Sequence, residues 1–454
     1  MLKNAGAMHR AQEDTRTRLL RIEIFGLGYV GFPLLVRAAS ARLNVTGIDT
    51  SSDRIKRLSE DQLHNSETRL KDTFIECKRR GYLSLDSSSK PSDSTRVGII
   101  CVPTPVPLNG VDSNVNVADA VKNFLKSARS GDIIIVESSV KIGTIDGIRA
   151  MIESAGYHVG EDFGLAFCPE RVDIKNTKLA LESTPRVIYC SDDITFSIAK
   201  MIYYHINNAN LLRVSSAKVA ETVKSFENAF RLVNISLVNE LAILCDRLGI
   251  SAREVISAAA TKPVGFMPFY PGAGAGGHCV PKDPLFLLQS AKKCGMDFGT
   301  ISNAFQTNDL MPQYVFDVID REMTKRAFKK TVLVCGLAYK SDVDDMRDSP
   351  GFKVITKFSA AGYKVFTYDP YFDDNLIEKY MIENSLTEKN FAALPDLEDQ
   401  NLGNISCICV VQHHAKIKFR LEQIYDESLV DMIYDCQMRL AFNPNSKTVL
   451  RQLG

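Results

Sequence analysis

From residue 271 to 284 the chain reads Pro-Gly-Ala-Gly-Ala-Gly-Gly-His-Cys-Val-Pro-Lys-Asp-Pro. Four glycines lead into Cys279, and Lys282 and Asp283 follow within four residues. Glycine lacks a Cβ and reaches positive φ cheaply, so such a run lets backbone lie against a ligand. A nearby cation favours the thiolate, the nucleophilic form of cysteine, so Cys279 beside Lys282 is a candidate for covalent catalysis. The competing reading is a glycine-rich surface loop with an incidental buried cysteine. The rest of the chain decides between them.

Three further groups carry chemistry. Lys224, Asn228 and Arg231 stand at i, i+4 and i+7 of a segment from Ser216 to about Leu248 that contains neither Gly nor Pro. They share one helix face among Val223, Phe226, Phe230 and Val233, as the wall of a polar site or as a solvated stripe. Thr104, Ser139 and Glu170 follow three successive apolar strands, where open parallel sheets place their ligands; singly, such residues more often serve turns and caps. Gly26-Leu-Gly28-Tyr29-Val30-Gly31 lies between the β-rich run Leu19–Phe25 and a helix over Phe32–Arg42, and the next strand ends in Asp49. That context is the dinucleotide fingerprint: a pyrophosphate meets free N–H groups at a helix N-terminus. Asp49 would accept hydrogen bonds from a ribose diol and repel a 2′-phosphate, which favours NAD over NADP.

The elements that position these groups follow from rhythm and composition. At 454 residues, 45% hydrophobic and 24% charged, the chain has room for two or three globular domains. A formal net charge of +1 argues against a broad nucleic-acid surface. No uninterrupted apolar run approaches the roughly 18 residues of a membrane span. Eleven cysteines without a Cys-x-x-Cys pair suit reduced thiols in a cytoplasm, and no metal site is expected. His413-His414 has no partner ligands at metal spacing, and Cys407 and Cys409 read as packing residues on one strand face.

A βα alternation runs through strands at 96–102, 132–136 and 165–168. Helices dominate from Ser216, with further segments at 251–262 and 285–293. Strand–turn–helix order resumes at Thr331–Lys340 with a helix at 351–361 and strands at 363–369, 405–411 and 432–434. The expectation is an α/β protein: two Rossmann-like doubly wound domains joined by a central helical domain with one long helix. The borders are a polar N-terminal extension (1–18) with no apolar segment of a secretory signal, an NAD-binding domain (19–212), the helical domain (213–310) and a C-terminal domain (311–454).

Taken together, Gly26-Leu-Gly-Tyr-Val-Gly31, Cys168-Pro-Glu-Arg171, Lys224-x-x-x-Asn228, Gly276-Gly-His-Cys-Val-Pro-Lys-Asp283 and Gly336-Leu-Ala-Tyr-Lys340 resemble the UDP-glucose/GDP-mannose dehydrogenase family. The match covers nearly the whole chain after Leu19. The phrase Lys262-Pro-Val-Gly-Phe-Met-Pro-Phe-Tyr-Pro-Gly272, with His278 before the cysteine, looks like the branch acting on UDP-N-acetylhexosamines.

The resemblance implies a four-electron oxidation of a sugar C6 alcohol to a carboxylate with two NAD, supplying precursors of surface glycans; the best single substrate is UDP-N-acetylglucosamine. It implies Cys279 as nucleophile, Glu170 as the base that activates water, and Lys224 and Asp283 on the C6 oxygen with Asn228 orienting them. It assigns Gly26, Gly28, Tyr29, Val30, Gly31, Asp49, Arg54, Thr104, Ser139 and Lys340 to the cofactor. Arg171, Val172, Arg231, Phe269, Tyr270, Gly272, Gly276, His278, Lys340 and Arg347 fall to the UDP-sugar. A homodimer or higher oligomer seamed along the long helix, and no membrane or nucleic-acid partner, complete the expectation. Two positions depart from the pattern. Ile142 stands where a proline is common before Gly143-Thr144. Asp435-Cys-Gln437 replaces Asp-x-Arg, whose arginine reaches a neighbouring subunit's site, and Arg439 is the candidate replacement. Lys282 is not universal in this branch. UDP-N-acetylmannosamine or UDP-glucose as substrate, a two-electron dehydrogenase, and a non-catalytic sugar-nucleotide-binding protein are the alternatives.

Overall fold

The structure is a computed structural model and describes residues 20–63, 65–105, 114–171, 184–277, 279–383 and 391–454. The expected N-terminal extension, Val172 and His278 lie outside the described residues. The chain divides into two compact units, residues 1–226 and 227–454.

The first unit is built on an eight-stranded sheet. Its strands are β1 (Arg21–Phe25), β2 (Asn44–Ile48), β3 (Leu83–Asp86), β4 (Arg96–Ile100), β5 (Ile133–Val136), β6 (Gly164–Phe167), β7 (Arg186–Cys190) and β8 (Leu211–Arg213). They lie in the order β3-β2-β1-β4-β5-β6-β7-β8. Every pairing is parallel except β6 with β7, which run antiparallel. The Ile/Val runs of β4 and β5 are buried throughout because helices cover both faces. β3, β7 and β8 were not foreseen. β3 and β8 are short and only partly buried, so they carry too little apolar alternation to announce themselves.

The second unit carries a six-stranded, all-parallel sheet: β9 (Thr331–Cys335), β10 (Lys364–Tyr368), β11 (Phe391–Ala393), β12 (Cys407–Val410), β13 (Met432–Asp435) and β14 (Val449–Gln452). Their order is β11-β10-β9-β12-β13-β14, the doubly wound arrangement with its switch point between β9 and β12. Cys407 and Cys409 are fully buried in its core as packing residues.

Between the sheets in sequence stands the long helix, Ala217–Leu248, followed by helices Ala252–Ala259, Asp283–Lys293 and Gly299–Lys325. The last runs through the border expected at residue 310 and contains Pro312. The α/β architecture with two parallel sheets and one long helix agrees with the sequence reading. No uninterrupted apolar run reaches that length, as expected; by length and composition alone the 217–248 helix is apolar enough to cross a membrane, and 44% of its most apolar window is buried within the protein.

Candidate functional site

In the first unit the glycine turn has the geometry a pyrophosphate needs. Gly26 has φ +86°, and a Cβ there would lie 2.9 Å from the Cys101 carbonyl. A Cβ on Gly31 would sit 1.9 Å from the Gly26 carbonyl oxygen, so only glycine lets the helix Gly31–Ser40 start this close to β1. Around Gly28, by contrast, a Cβ would meet nothing within 4 Å. That open, exposed side is where a phosphate can approach bare backbone. The cradle therefore fits a dinucleotide.

Asp49 closes the turn. Its Oδ2 accepts a hydrogen bond from the Leu27 N–H at 2.8 Å and its Oδ1 one from Ser51 N–H at 2.9 Å. It is half-buried, at the carboxyl end of β2 beside the glycine turn. Arg54 is spent locally: Nε and Nη2 donate to the Leu27 carbonyl at 3.1 and 2.9 Å, and the guanidinium pairs with Glu67. It braces the turn from behind. Tyr29 is exposed at the turn's tip and Val30 immediately precedes the helix. Thr104, buried after β4, donates through Oγ1 to the Ser139 carbonyl at 2.6 Å, joining two strand ends.

Glu170 follows β6. Its Oε1 accepts the Arg171 N–H at 2.8 Å, and its Oε2 pairs with Arg186 Nη1 at 3.2 Å. Arg171 itself donates through Nη1 to the Pro185 carbonyl at 2.6 Å. Lys224 is half-buried on the long helix, whose start is fixed by Glu221. That carboxylate accepts the Gly143 and Ile145 N–H groups at 2.7 and 2.9 Å, capping the helix Thr144–Ser154. Burial raises the Glu221 pKa against those two stabilising bonds. Reading residues singly missed Glu221; an acid three residues before Lys224 was the available signal.

In the second unit the thiol loop is held from both sides. Asn239, on the long helix, accepts the Gly272 N–H at 2.9 Å. Asn308 Oδ1 accepts the Ala275 N–H at 2.6 Å, and its Nδ2 donates to the Ala275 carbonyl at 3.2 Å. Val280 is buried against Leu232 and Ala304, which leaves its neighbour Cys279 exposed. The glycines serve a purpose that the sequence reading placed elsewhere. A Cβ on Gly276 would come within 2.4 Å of the Asp348 carbonyl, and one on Gly277 within 2.6 Å of the Tyr339 ring. These two admit the loop after β9, whereas Gly272 faces open space.

Asp283, at the first turn of its helix, is buried and accepts from Asn228 Nδ2 at 2.7 Å. Asn228 lies one turn from Lys224 along the same helix, and exposed Arg231 continues that face. Burial lowers the Lys282 pKa, opposed by Asp283 and Cys279. Phe269 stacks edge-on to Phe230 with ring centroids 5.9 Å apart. Exposed Tyr270 lines a cavity of about 340 Å³ with Arg253, Gln437 and Arg439, so Gln437 and the candidate replacement for the family's arginine open onto the same space. Lys340 is half-buried in the loop after β9. Arg347 forks onto Asp345 at 2.8 and 2.6 Å in that loop. His413 and His414 bind Asp435 and Asp369 at 2.8 and 3.1 Å, and among the described residues no cluster could hold a metal ion.

Three family models match along the chain: the NAD binding, central and UDP binding domains of the UDP-glucose/GDP-mannose dehydrogenase family, over residues 20–207, 218–310 and 333–441. The chain belongs to this family. It is an NAD-dependent nucleotide-sugar dehydrogenase, carrying the family's UDP binding domain. A UDP-N-acetyl-D-mannosamine dehydrogenase from Pyrococcus horikoshii is 33% identical over 78% of the chain and 84% of that relative. A UDP-N-acetyl-D-glucosamine 6-dehydrogenase from Pseudomonas aeruginosa is 30% identical over 91% and 99%. Among solved structures, a UDP-D-ManNAc dehydrogenase from Pyrococcus horikoshii superposes with a TM-score of 0.83 at 28% identity, covering 95% of this dehydrogenase and 99% of that chain.

Proposed function

We propose that this dehydrogenase oxidises the C6 alcohol of a UDP-N-acetylhexosamine to the uronic acid in two two-electron steps on one cysteine. The observation that carries this reading is the arrangement beside Cys279: an exposed thiol on a glycine loop pinned by Asn239 and Asn308, directly followed by the buried Asn228–Asp283 pair. A binding protein needs no such thiol. The segments act as an NAD-binding part (19–212), a helical part bearing the nucleophile (213–310) and a UDP-sugar-binding part (311–454).

NAD, cradled by Gly26, Gly28 and Gly31 with Asp49 on the ribose, supplies a hydride acceptor for each step. In the first, C6 loses a hydride and the hydroxyl a proton, leaving an aldehyde and NADH. The Cys279 thiolate adds to that aldehyde and the oxygen takes a proton, forming a thiohemiacetal that keeps one hydrogen on C6. Loss of that hydrogen as hydride to a second NAD, and of the hydroxyl proton, leaves a thioester. Water, deprotonated by Glu170, attacks the thioester carbon, the C–S bond breaks, and carboxylate and thiol are released. Lys224 and Asp283, oriented by Asn228, hold the C6 oxygen and offset its developing negative charge. Arg231, Phe269, Tyr270, Gly272, Lys340 and Arg347 hold the UDP-sugar.

The gluco epimer is our choice because the P. aeruginosa relative, a UDP-N-acetyl-D-glucosamine 6-dehydrogenase, aligns along 99% of its length. The manno epimer is the second reading, on the strength of the 33% identical relative. Phe226, Phe230, Leu237, Leu244 and Leu248 are exposed on the long helix at spacings of four and seven. That stripe fits a second copy of the chain, making the enzyme a homodimer. Its eleven thiols suit a cytoplasmic setting and a role in glycan-precursor synthesis.

The deciding experiment counts NADH formed per sugar nucleotide consumed, with UDP-N-acetylglucosamine, UDP-N-acetylmannosamine and UDP-glucose in parallel. Two NADH on one N-acetyl sugar is expected, and Cys279→Ser should abolish uronic acid formation. One NADH, with Cys279→Ser active, would reduce the enzyme to a two-electron dehydrogenase.

A further inference from the structure

Behind Glu170 lies a buried polar chain that the reaction above does not use. Arg186, the first residue of β7, is 2% exposed. Its Nη1 reaches Glu170 Oε2 at 3.2 Å, and its Nη2 reaches Glu137 Oε2 at 3.0 Å and the Cys168 carbonyl at 3.3 Å. The guanidinium lies over the Tyr203 ring, 4.4 Å from its centroid, and the Tyr203 hydroxyl donates to Glu137 Oε1 at 2.5 Å. One cation is thus shared by two carboxylates that differ sharply in access. Glu137 is buried; the Glu170 side chain keeps 21% exposure.

We propose that Arg186 is a positioning residue for thioester hydrolysis: backed by Glu137 and Tyr203, it holds the Glu170 carboxylate aimed so that a water can deliver its proton there. The inference rests on Glu170 being the base. The geometry fits the role. Arg186 and the Arg171 N–H bind different oxygens of the carboxylate, which fixes its plane. A fork of planar donors does this better than an ammonium could. The antiparallel turnaround of β6 and β7 is what brings residue 186 back beside residue 170.

The surrounding charges agree. Burial would lower the Arg186 pKa, but Glu137 and Glu170 hold it well above its ordinary value, so it stays charged. Burial raises Glu137, with Arg186 and Tyr203 pulling it back. Arg37 faces the same group, lowered by burial and by Arg186 and supported by Glu170. Cys101 and Cys168 are raised by burial, Cys168 to about 11, so these thiols stay neutral.

The test mixes enzyme, NAD and whichever UDP-sugar is turned over, following the NADH burst, the steady-state rate and the intact mass. Arg186→Met combined with Glu137→Gln removes both fully buried charges at similar volume, so that Glu137 is not left as an unpaired buried carboxylate while Glu170 loses its arginine. The expected result is a burst of two NADH per site at the native rate, then turnover slowed about 100-fold. Mass corresponding to the acyl group should accumulate on Cys279. Arg186→Lys, the milder variant should the pair fail to fold, is expected to lie between. Glu170→Gln separates the two claims. If it hydrolyses the acyl-enzyme at the native rate, the base assignment itself fails. If Glu170→Gln accumulates the acyl-enzyme while the Arg186 variants do not, or if those variants slow burst and turnover alike, Arg186 is only structural.

Discussion

The two parallel sheets carry the same turn at the same place and use it differently. After β1, Gly26 (φ +86°) lets Leu27 donate to the carboxylate that ends the next strand, Asp49. After β9, Gly336 (φ +85°) does likewise: Leu337 and Ala338 donate to Asp369 at 2.6 and 2.9 Å. In the first unit, exposed Gly28 and buried Gly31 follow and a helix starts at once, so its free N–H groups face the opening. In the second, buried Ala338 stands where Gly28 does, and the next helix waits until Pro350. Asp369 is 1% exposed and also accepts from His414 Nε2 at 3.1 Å, while His414 Nδ1 accepts the Asp342 N–H at 2.9 Å. The histidine occupies the acid that a ribose would need. A Rossmann sheet thus becomes a dinucleotide site through what its turn leaves open, beyond the strand order alone.

That comparison can be broken at several points. Asp369→Ala should cost about 3 kcal/mol or more, because three buried N–H groups lose their acceptor at once; chemical denaturation reads this, and NAD affinity of the folded fraction should be unchanged. Gly31→Ala, whose Cβ would overlap the Gly26 carbonyl, should destabilise by about 1–3 kcal/mol. Gly28→Ala has room and should fold normally while weakening NAD binding by titration; equal stability loss in both would refute the assignment of an open side at Gly28. Asp49→Ser should lower NAD affinity by about tenfold and lift the NADP/NAD ratio, as expected when one charged acceptor is lost. A variant that prefers NAD as strongly as before would remove Asp49 from ribose recognition.

The smallest effect concerns acid stability. Despite burial, His413 and neighbouring N–H groups hold Asp435 below the ordinary carboxylate value. A depressed folded pKa contributes stability above the unfolded value, near pH 4, and loses it as pH falls through the folded one. Burial holds Glu137 and Glu221 above theirs, so their contribution is present at low pH and fades as pH rises. Asp435→Asn should therefore flatten the acid limb of the melting curve by about 1 kcal/mol, whereas Glu221→Gln should flatten the opposite slope. Identical pH profiles would show that the two units do not differ in this way.

The glycine fingerprint, the helical Lys224–Asn228–Arg231 face and the strand ends at Thr104, Ser139 and Glu170 were readable because each is a local property. Positive φ, a 3.6-residue period and a turn after an apolar run all lie within a dozen residues. The family signatures added what Cys279 and Asp283 imply. Other features were closed to that reading because their partners are far away in the chain. Arg186 meets Glu137 across 49 positions only because β7 turns back on β6, and Asp369 meets His414 across 45 because β10 and β12 flank β9. The purpose of Gly276 and Gly277 likewise depended on where Asp348 and Tyr339 arrive. The sequence by itself determined most of the elements and the cofactor class, and it singled out Cys279 as the candidate nucleophile. Tertiary structure decided which charges are shared, which acid is left open to a ligand and which glycines face protein instead of substrate, since long-range packing sets burial and burial sets what a polar group can do.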